Sequence, residues 1–216
     1  MLAKTAEKIA FRNFDWSKKY GFFRPMAFNF PISKKFEEKL SEMKIPLIYW
    51  DTLRDLVKLK EADIFIDEIA NYFDARNWAD LPREAKKWVR QGHKMGIELY
   101  GASQKFGSVD KAFRELTNEL YDIVKVAGSK RPSKFHPPIK RIWGLCFMRA
   151  VDPMAYDEQG ERTSSSFSWP KPFLIRKHDC ELFDTNAEIK DIKRIDVGHI
   201  EKYCQVCGDV VGLSHK

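Results

Sequence analysis

The chain has 216 residues, of which 32% are charged and 13% aromatic, and its formal net charge is +7. That aromatic content argues against a disordered chain, and the length suits one sizeable α/β domain with at most a small appendage. No run approaches the roughly 20 apolar residues of a membrane-spanning helix. Met1 leads into a charged segment rather than the apolar core of a signal peptide, and four cysteines in this length suit a reducing cytosol. The expected location is therefore cytoplasmic, host cytoplasm if the chain is viral, and the basic balance is compatible with a polyanionic partner.

In chain order, Leu2 to Arg12 reads as a helix, with apolar residues at Leu2, Ala6, Ile9 and Ala10. Residues 26–30 read as a strand, 34–43 as a helix, 46–50 as a strand and 51–60 as a helix. Residues 62–66, Ala-Asp-Ile-Phe-Ile, form a short β-branched and aromatic run that ends in Asp67 and Glu68. Such a run suits a central strand of a parallel sheet covered on both faces. Ligands bind at the carboxyl ends of strands in these sheets. There the first acid is placed to hold Mg²⁺ and the second to deprotonate a water attacking a phosphate. This is the appearance of a Walker B strand, although an apolar run capped by two acids is also a common strand exit.

A helix follows over 82–94, with Ala85, Trp88 and Val89 on its apolar face, then Gly96 and a strand over 97–102 that leads to Ser103 and Gln104. A Gln beside Walker B is placed to sense a γ-phosphate or to orient the lytic water. A helix over 109–119 and a strand over 121–127 continue the alternation, which predicts a doubly wound, mainly parallel sheet, and the Walker B appearance of 62–68 makes the expected fold P-loop NTPase-like. After Gly128 the character changes. Lys130 to Pro138 holds three prolines and reads as a loop. Runs at 141–149 and 172–176 read as a C-terminal hairpin, joined by a long polar connection. The expected organisation is a domain over 1–190 and a tail over 191–216.

The order of these elements resembles the Zot-like (zonular occludens toxin-like) ATPases of viruses, phages and mobile elements, within the wider FtsK/HerA group of DNA-pumping motors. The residues that carry the resemblance are Asp67-Glu68, Tyr72-Phe73 with Arg76, His93-Lys94 with Gly96, Gln104, Val109-Asp110-Lys111 with Arg114-Glu115, and Leu182-Phe183-Asp184-Thr185. It covers roughly residues 1–190. Gly92 departs from it, standing where the pattern has Arg. The resemblance implies an ATP-dependent, ring-forming motor that packages or translocates DNA. Asp67 would hold Mg²⁺, Glu68 would activate water, Gln104 would couple the γ-phosphate to motion, and Arg114 would serve a neighbouring subunit as an arginine finger. Arg76 competes for that last role, and a surface ion pair is the plainer reading of Arg114.

A phosphate cradle needs Gly-x-x-x-x-Gly-Lys-Ser/Thr, and no Gly-Lys pair occurs in this sequence. Two expectations follow. Either the chain begins inside the helix that succeeds such a loop, or the loop is truly lost and the protein is a non-catalytic nucleic-acid-binding or assembly relative.

Two further constellations stand outside that pattern. Residues 123–151 contain no acid and hold Lys130, Arg131, Lys134, Lys140 and Arg141, with Phe135, His136 and Trp143 between them. Cations interleaved with aromatics suit a nucleic-acid backbone and its bases, while an isolated basic run is ordinarily a solvated loop. In the tail, Cys204 and Cys207 precede Gly208, with His199 and His215 flanking them. These four donors would satisfy tetrahedral Zn²⁺. The spacing is not that of a standard finger, Cys180 and His178 compete as ligands, and unligated thiols are the alternative.

Overall fold

The structure, a computed structural model, describes residues 2–127, 142–153, 171–176, 179 and 182. It is a mixed α/β protein with a four-stranded parallel sheet and a three-stranded antiparallel sheet. The chain divides into two compact units, the first comprising residues 1–72, 79–104 and 182–216, the second residues 73–78 and 105–181.

The first unit opens with helix α1 (Leu2–Tyr20) and continues through β1 (Met26–Phe28), α2 (Lys34–Glu42), β2 (Leu47–Tyr49), α3 (Leu53–Leu56), β3 (Asp63–Ile66), α4 (Arg83–Gln91) and β4 (Glu98–Gly101). The strands lie in the order β2-β1-β3-β4, all parallel. Ser33 caps α2 by accepting from the Phe36 N–H, and Thr52 and Asp55 form a reciprocal capping box on α3. α3 is shorter than the helix expected over 51–60. Its chain tightens into three-residue turns, with Lys58 N–H donating to Asp55 and Leu59 N–H to Leu56, and it then turns through Glu61, whose φ is +49°.

The face of the sheet that carries Met26, Phe28, Phe65 and Tyr100 is covered by α1 and α2. Register places Phe28, Phe65 and Tyr100 side by side, and their rings stack at centroid distances of 4.8 and 5.0 Å. Against this aromatic row α1 presents Ala3, Ala6 and Ala10, all buried. Small side chains at that spacing let the helix approach rings that already fill the layer. The alternate strand residues Ala27, Ile48, Ile64 and Ile66 are buried on the opposite face.

α1 runs eight residues past the expected end at Arg12. Its buried stripe continues through Asn13 and Ser17, polar residues that interrupt the apolar period in the sequence. Each finds a partner. Asn13 Nδ2 donates to Asp63 Oδ2 at 2.6 Å, and the Ser17 hydroxyl donates to the Phe14 carbonyl at 2.7 Å.

In the second unit, α5 (Lys111–Glu115) precedes β5 (Leu120–Ala127), β6 (Ile142–Val151) and β7 (Lys171–Arg176). The run 121–127, expected as a further parallel strand, instead pairs antiparallel with β6 from Leu120↔Val151 to Ala127↔Leu145, with a register shift between Lys125 and Ala127. β6 pairs antiparallel with β7, so both strands of the expected hairpin belong to a separate three-stranded sheet with β6 at its centre.

Candidate functional site

β3 occupies an inner position of the parallel sheet, and its four residues are fully buried. It ends at Ile66, so Asp67 and Glu68 emerge at the carboxyl edge, Asp67 exposed and Glu68 half-buried. Glu68 takes the left-handed conformation, φ 50° and ψ 60°, which costs a residue bearing a Cβ of order 1 kcal/mol. The turn is held from the neighbouring strand. Ala102 N–H donates to the Ile66 carbonyl, and Ile69 N–H donates to the Ala102 carbonyl, both at 2.9 Å. A short 3₁₀ turn, Ile69–Asn71, follows Glu68.

The side chain of Asn29, in the run expected as a strand over 26–30, completes this support. Asn29 follows β1 and is 6% exposed. Its Oδ1 accepts from the Asp67 N–H at 2.7 Å and its Nδ2 donates to the Asp67 carbonyl at 3.0 Å.

α1 runs antiparallel to the strands. Arg12 and Asn13 contact Asp63 at the amino end of β3. From Asn13 back to Leu2 the helix rises about 16 Å, and from Asp63 to Asp67 the strand rises about 13 Å. The first turn of α1 is thus level with the carboxyl edge. Strand alternation carries Asp67 to the α1 face. Partial desolvation of its carboxyl and repulsion from Glu68 hold it above its ordinary range.

Gln104 lies three residues beyond β4, exposed, at the same edge of the neighbouring strand. The structure therefore brings Asp67, Glu68 and Gln104 to the carboxyl ends of two adjacent parallel strands. Arg114 belongs to the second unit, on α5, and is 4% exposed. Its guanidinium is enclosed by its own chain rather than presented to solvent. Arg76, the competing candidate, also belongs to the second unit. Its side chain is 85% exposed and pairs with Asp74 at 2.9 Å.

Two adjacent carboxylates, one of them repelled by the other, fit a divalent cation that is otherwise held by water and substrate phosphates. This is the usual manner of Mg²⁺. No group of three or more His, Cys, Asp or Glu side chains that could hold a metal ion occurs among the described residues. The expected zinc ligands Cys204, Cys207, His199 and His215, and the basic residues Lys130, Arg131, Lys134, Lys140 and Arg141, lie outside the described residues. No helix of the described residues is long and apolar enough to cross a membrane.

Neither a protein-family model nor a curated protein matches the chain. Among solved structures it is similar to the N-terminal domain of zonular occludens toxin from Neisseria meningitidis, at 16% identity over 74% of this chain and 80% of that one, with a TM-score of 0.46. The functional reading rests on the geometry of the carboxyl edge.

Proposed function

We propose that the first unit is the core of an ATPase of the DNA-translocating or DNA-packaging kind, acting on nucleotide phosphates at the carboxyl edge of β3 and β4. The observation that supports this reading is the convergence of Asp67, Glu68 and Gln104 on adjacent strand ends, level with the first turn of α1. A helix N-terminus opposite a carboxylate pair offers partial positive charge to phosphate oxygens and negative charge to their counter-cation. Asp67 would hold a Mg²⁺, which when bound would supply positive charge to the phosphate oxygens. Glu68, half-buried and fixed by its left-handed turn, accepts the proton of the attacking water, and the Gln104 amide orients that water. The sequence has no Gly-Lys loop to cradle the phosphates, so this chain by itself binds nucleotide weakly and turns it over slowly. The basic segment around Lys130 to Arg141 supplies the contact to the DNA backbone.

Titration of the chain with a fluorescent ATP analogue, with and without Mg²⁺, tests the reading. Binding should require Mg²⁺ and weaken by about tenfold in Asp67→Asn, a typical loss for a disturbed metal site. Glu68→Gln should leave binding intact. Binding indifferent to both Mg²⁺ and Asp67, or rapid hydrolysis by the unsupplemented chain, would contradict it.

A further inference from the structure

The parallel ladder between β1 and β3 ends in an irregular step. Asn29 N–H donates to the Phe65 carbonyl at 3.4 Å. The next rung of a regular ladder would take the Asp67 N–H to the main-chain carbonyl of Asn29. It goes instead to the side-chain Oδ1, at 2.7 Å, while Nδ2 returns a bond to the Asp67 carbonyl at 3.0 Å. The side-chain amide thus replaces a strand partner at the residue where both strands have ended. The assignment of its oxygen and nitrogen is self-consistent, since one faces a donor and the other an acceptor.

We propose that Asn29 is a positioning residue that sets the divalent-cation affinity of Asp67 by fixing the backbone on both sides of its Cα. This inference rests on the reading of Asp67 as the cation-holding residue. Asp67 lies between a buried strand and a left-handed Glu68, past the last regular rung of the ladder. Without the Asn29 amide its main-chain N–H and C=O lose the bonds that fix the peptide planes on either side of its Cα. With both Asp67 main-chain groups bonded, the carboxylate is held in one direction before any cation arrives. Asn is the residue type suited to this: Asp has the acceptor but no donor, Gln is one methylene too long, and Ser lacks the paired geometry.

The test uses the full chain and Mn²⁺ as probe, following paramagnetic broadening of assigned backbone amide signals. In the unsubstituted chain the broadening should centre on Asp67 and Glu68, and Asp67→Asn should abolish it. Asn29→Ala should move the midpoint of the titration to about tenfold higher Mn²⁺, as losses of outer-shell support do. Leu40→Ala, a fully buried residue of α2, should leave the midpoint unchanged while lowering the melting temperature, which separates positioning from general stability. Asn29→Asp is the second variant should Asn29→Ala not fold. Its extra negative charge alone would tighten Mn²⁺ binding, whereas loss of the donor to Asp67 should weaken it. An unchanged midpoint in Asn29→Ala, or tighter binding in Asn29→Asp, overturns the inference and leaves the reading of Asp67 standing. Broadening that is unaffected by Asp67→Asn removes both.

Discussion

A Cβ on Gly101 would lie 2.9 Å from Cδ1 of Ile69 and 3.5 Å from its Cβ. Gly101 ends β4, and Ile69 begins the turn directly after Glu68. The absence of a side chain at 101 therefore lets the turn behind the candidate general base sit against the neighbouring strand. Gly101→Ala should cost about 1–3 kcal/mol by overpacking, because Ile69 is 5% exposed and has little room to retreat. Ile69→Val removes the contacting methyl, so the double variant should lose less than the sum of the two single ones. Urea denaturation of all four proteins measures the coupling. Strict additivity would place the strain elsewhere.

Asp63 sits at the opposite end of β3 and is fully buried, with Arg24 Nε at 3.1 Å, Arg12 at 3.3 Å and Asn13 Nδ2 at 2.6 Å. Arg24, whose side chain is 12% exposed, has this carboxylate as its ion partner. Deleting one member of such a cluster leaves charge buried without compensation. Asp63→Ala should destabilise the chain by about 3–5 kcal/mol. It should also loosen the C-terminal half of α1, seen as faster amide exchange over residues 13–20 than over residues 34–42. A loss below about 1 kcal/mol, the range of an exposed pair, would show that the cluster adds nothing to the docking of α1.

The Asp67 carboxyl is held above its ordinary value of 3.8 by partial desolvation and by repulsion from Glu68. An acid whose pKa is raised on folding binds protons more tightly in the native state. Its favourable contribution is full below the unfolded pKa and disappears as pH rises through the folded one. Without divalent cations, Asp67→Asn should therefore melt higher than the unsubstituted chain at pH 7. The difference should shrink as pH falls towards 4. Added Mg²⁺ should raise the melting temperature of the unsubstituted chain and not that of the variant. Equal melting temperatures at pH 7, with and without Mg²⁺, would show that the two carboxylates do not repel.

DNA binding should be salt-dependent and carried by the basic segment. Neutralising Lys130, Arg131, Lys140 and Arg141 together should lower the slope of log K against log salt by about four times 0.7–0.9 if each contacts a phosphate. Fluorescence anisotropy with a labelled oligonucleotide at several salt concentrations gives the slope. An unchanged slope would return this segment to a solvated loop.

The Asp67-Glu68 exit of β3 and the strand that leads to Gln104 were legible in the sequence. A buried parallel strand is mainly apolar, so the change from Ile64-Phe65-Ile66 to two adjacent carboxylates marks its end without any tertiary information. The other strands of the first sheet were legible from the alternation of strand-like and helix-like runs along the chain. The second half of α1 was not, because Asn13 and Ser17 break an apolar stripe that only their bonds to Asp63 and Phe14 restore. Nor was the sheet that β5 joins. Its apolar run is compatible with either direction of pairing, and the choice is made by β6, about twenty residues further along the chain. The clasp of Asn29 on Asp67 is the plainest case. Residues 26–30 read as a strand that includes Asn29, but the role of its side chain depends on a backbone 38 residues away. Local composition determines which segments are buried and where they stop. Which buried polar group meets which unpaired backbone atom is decided only when the strands are laid side by side, since that energy depends on geometry that no window of sequence contains.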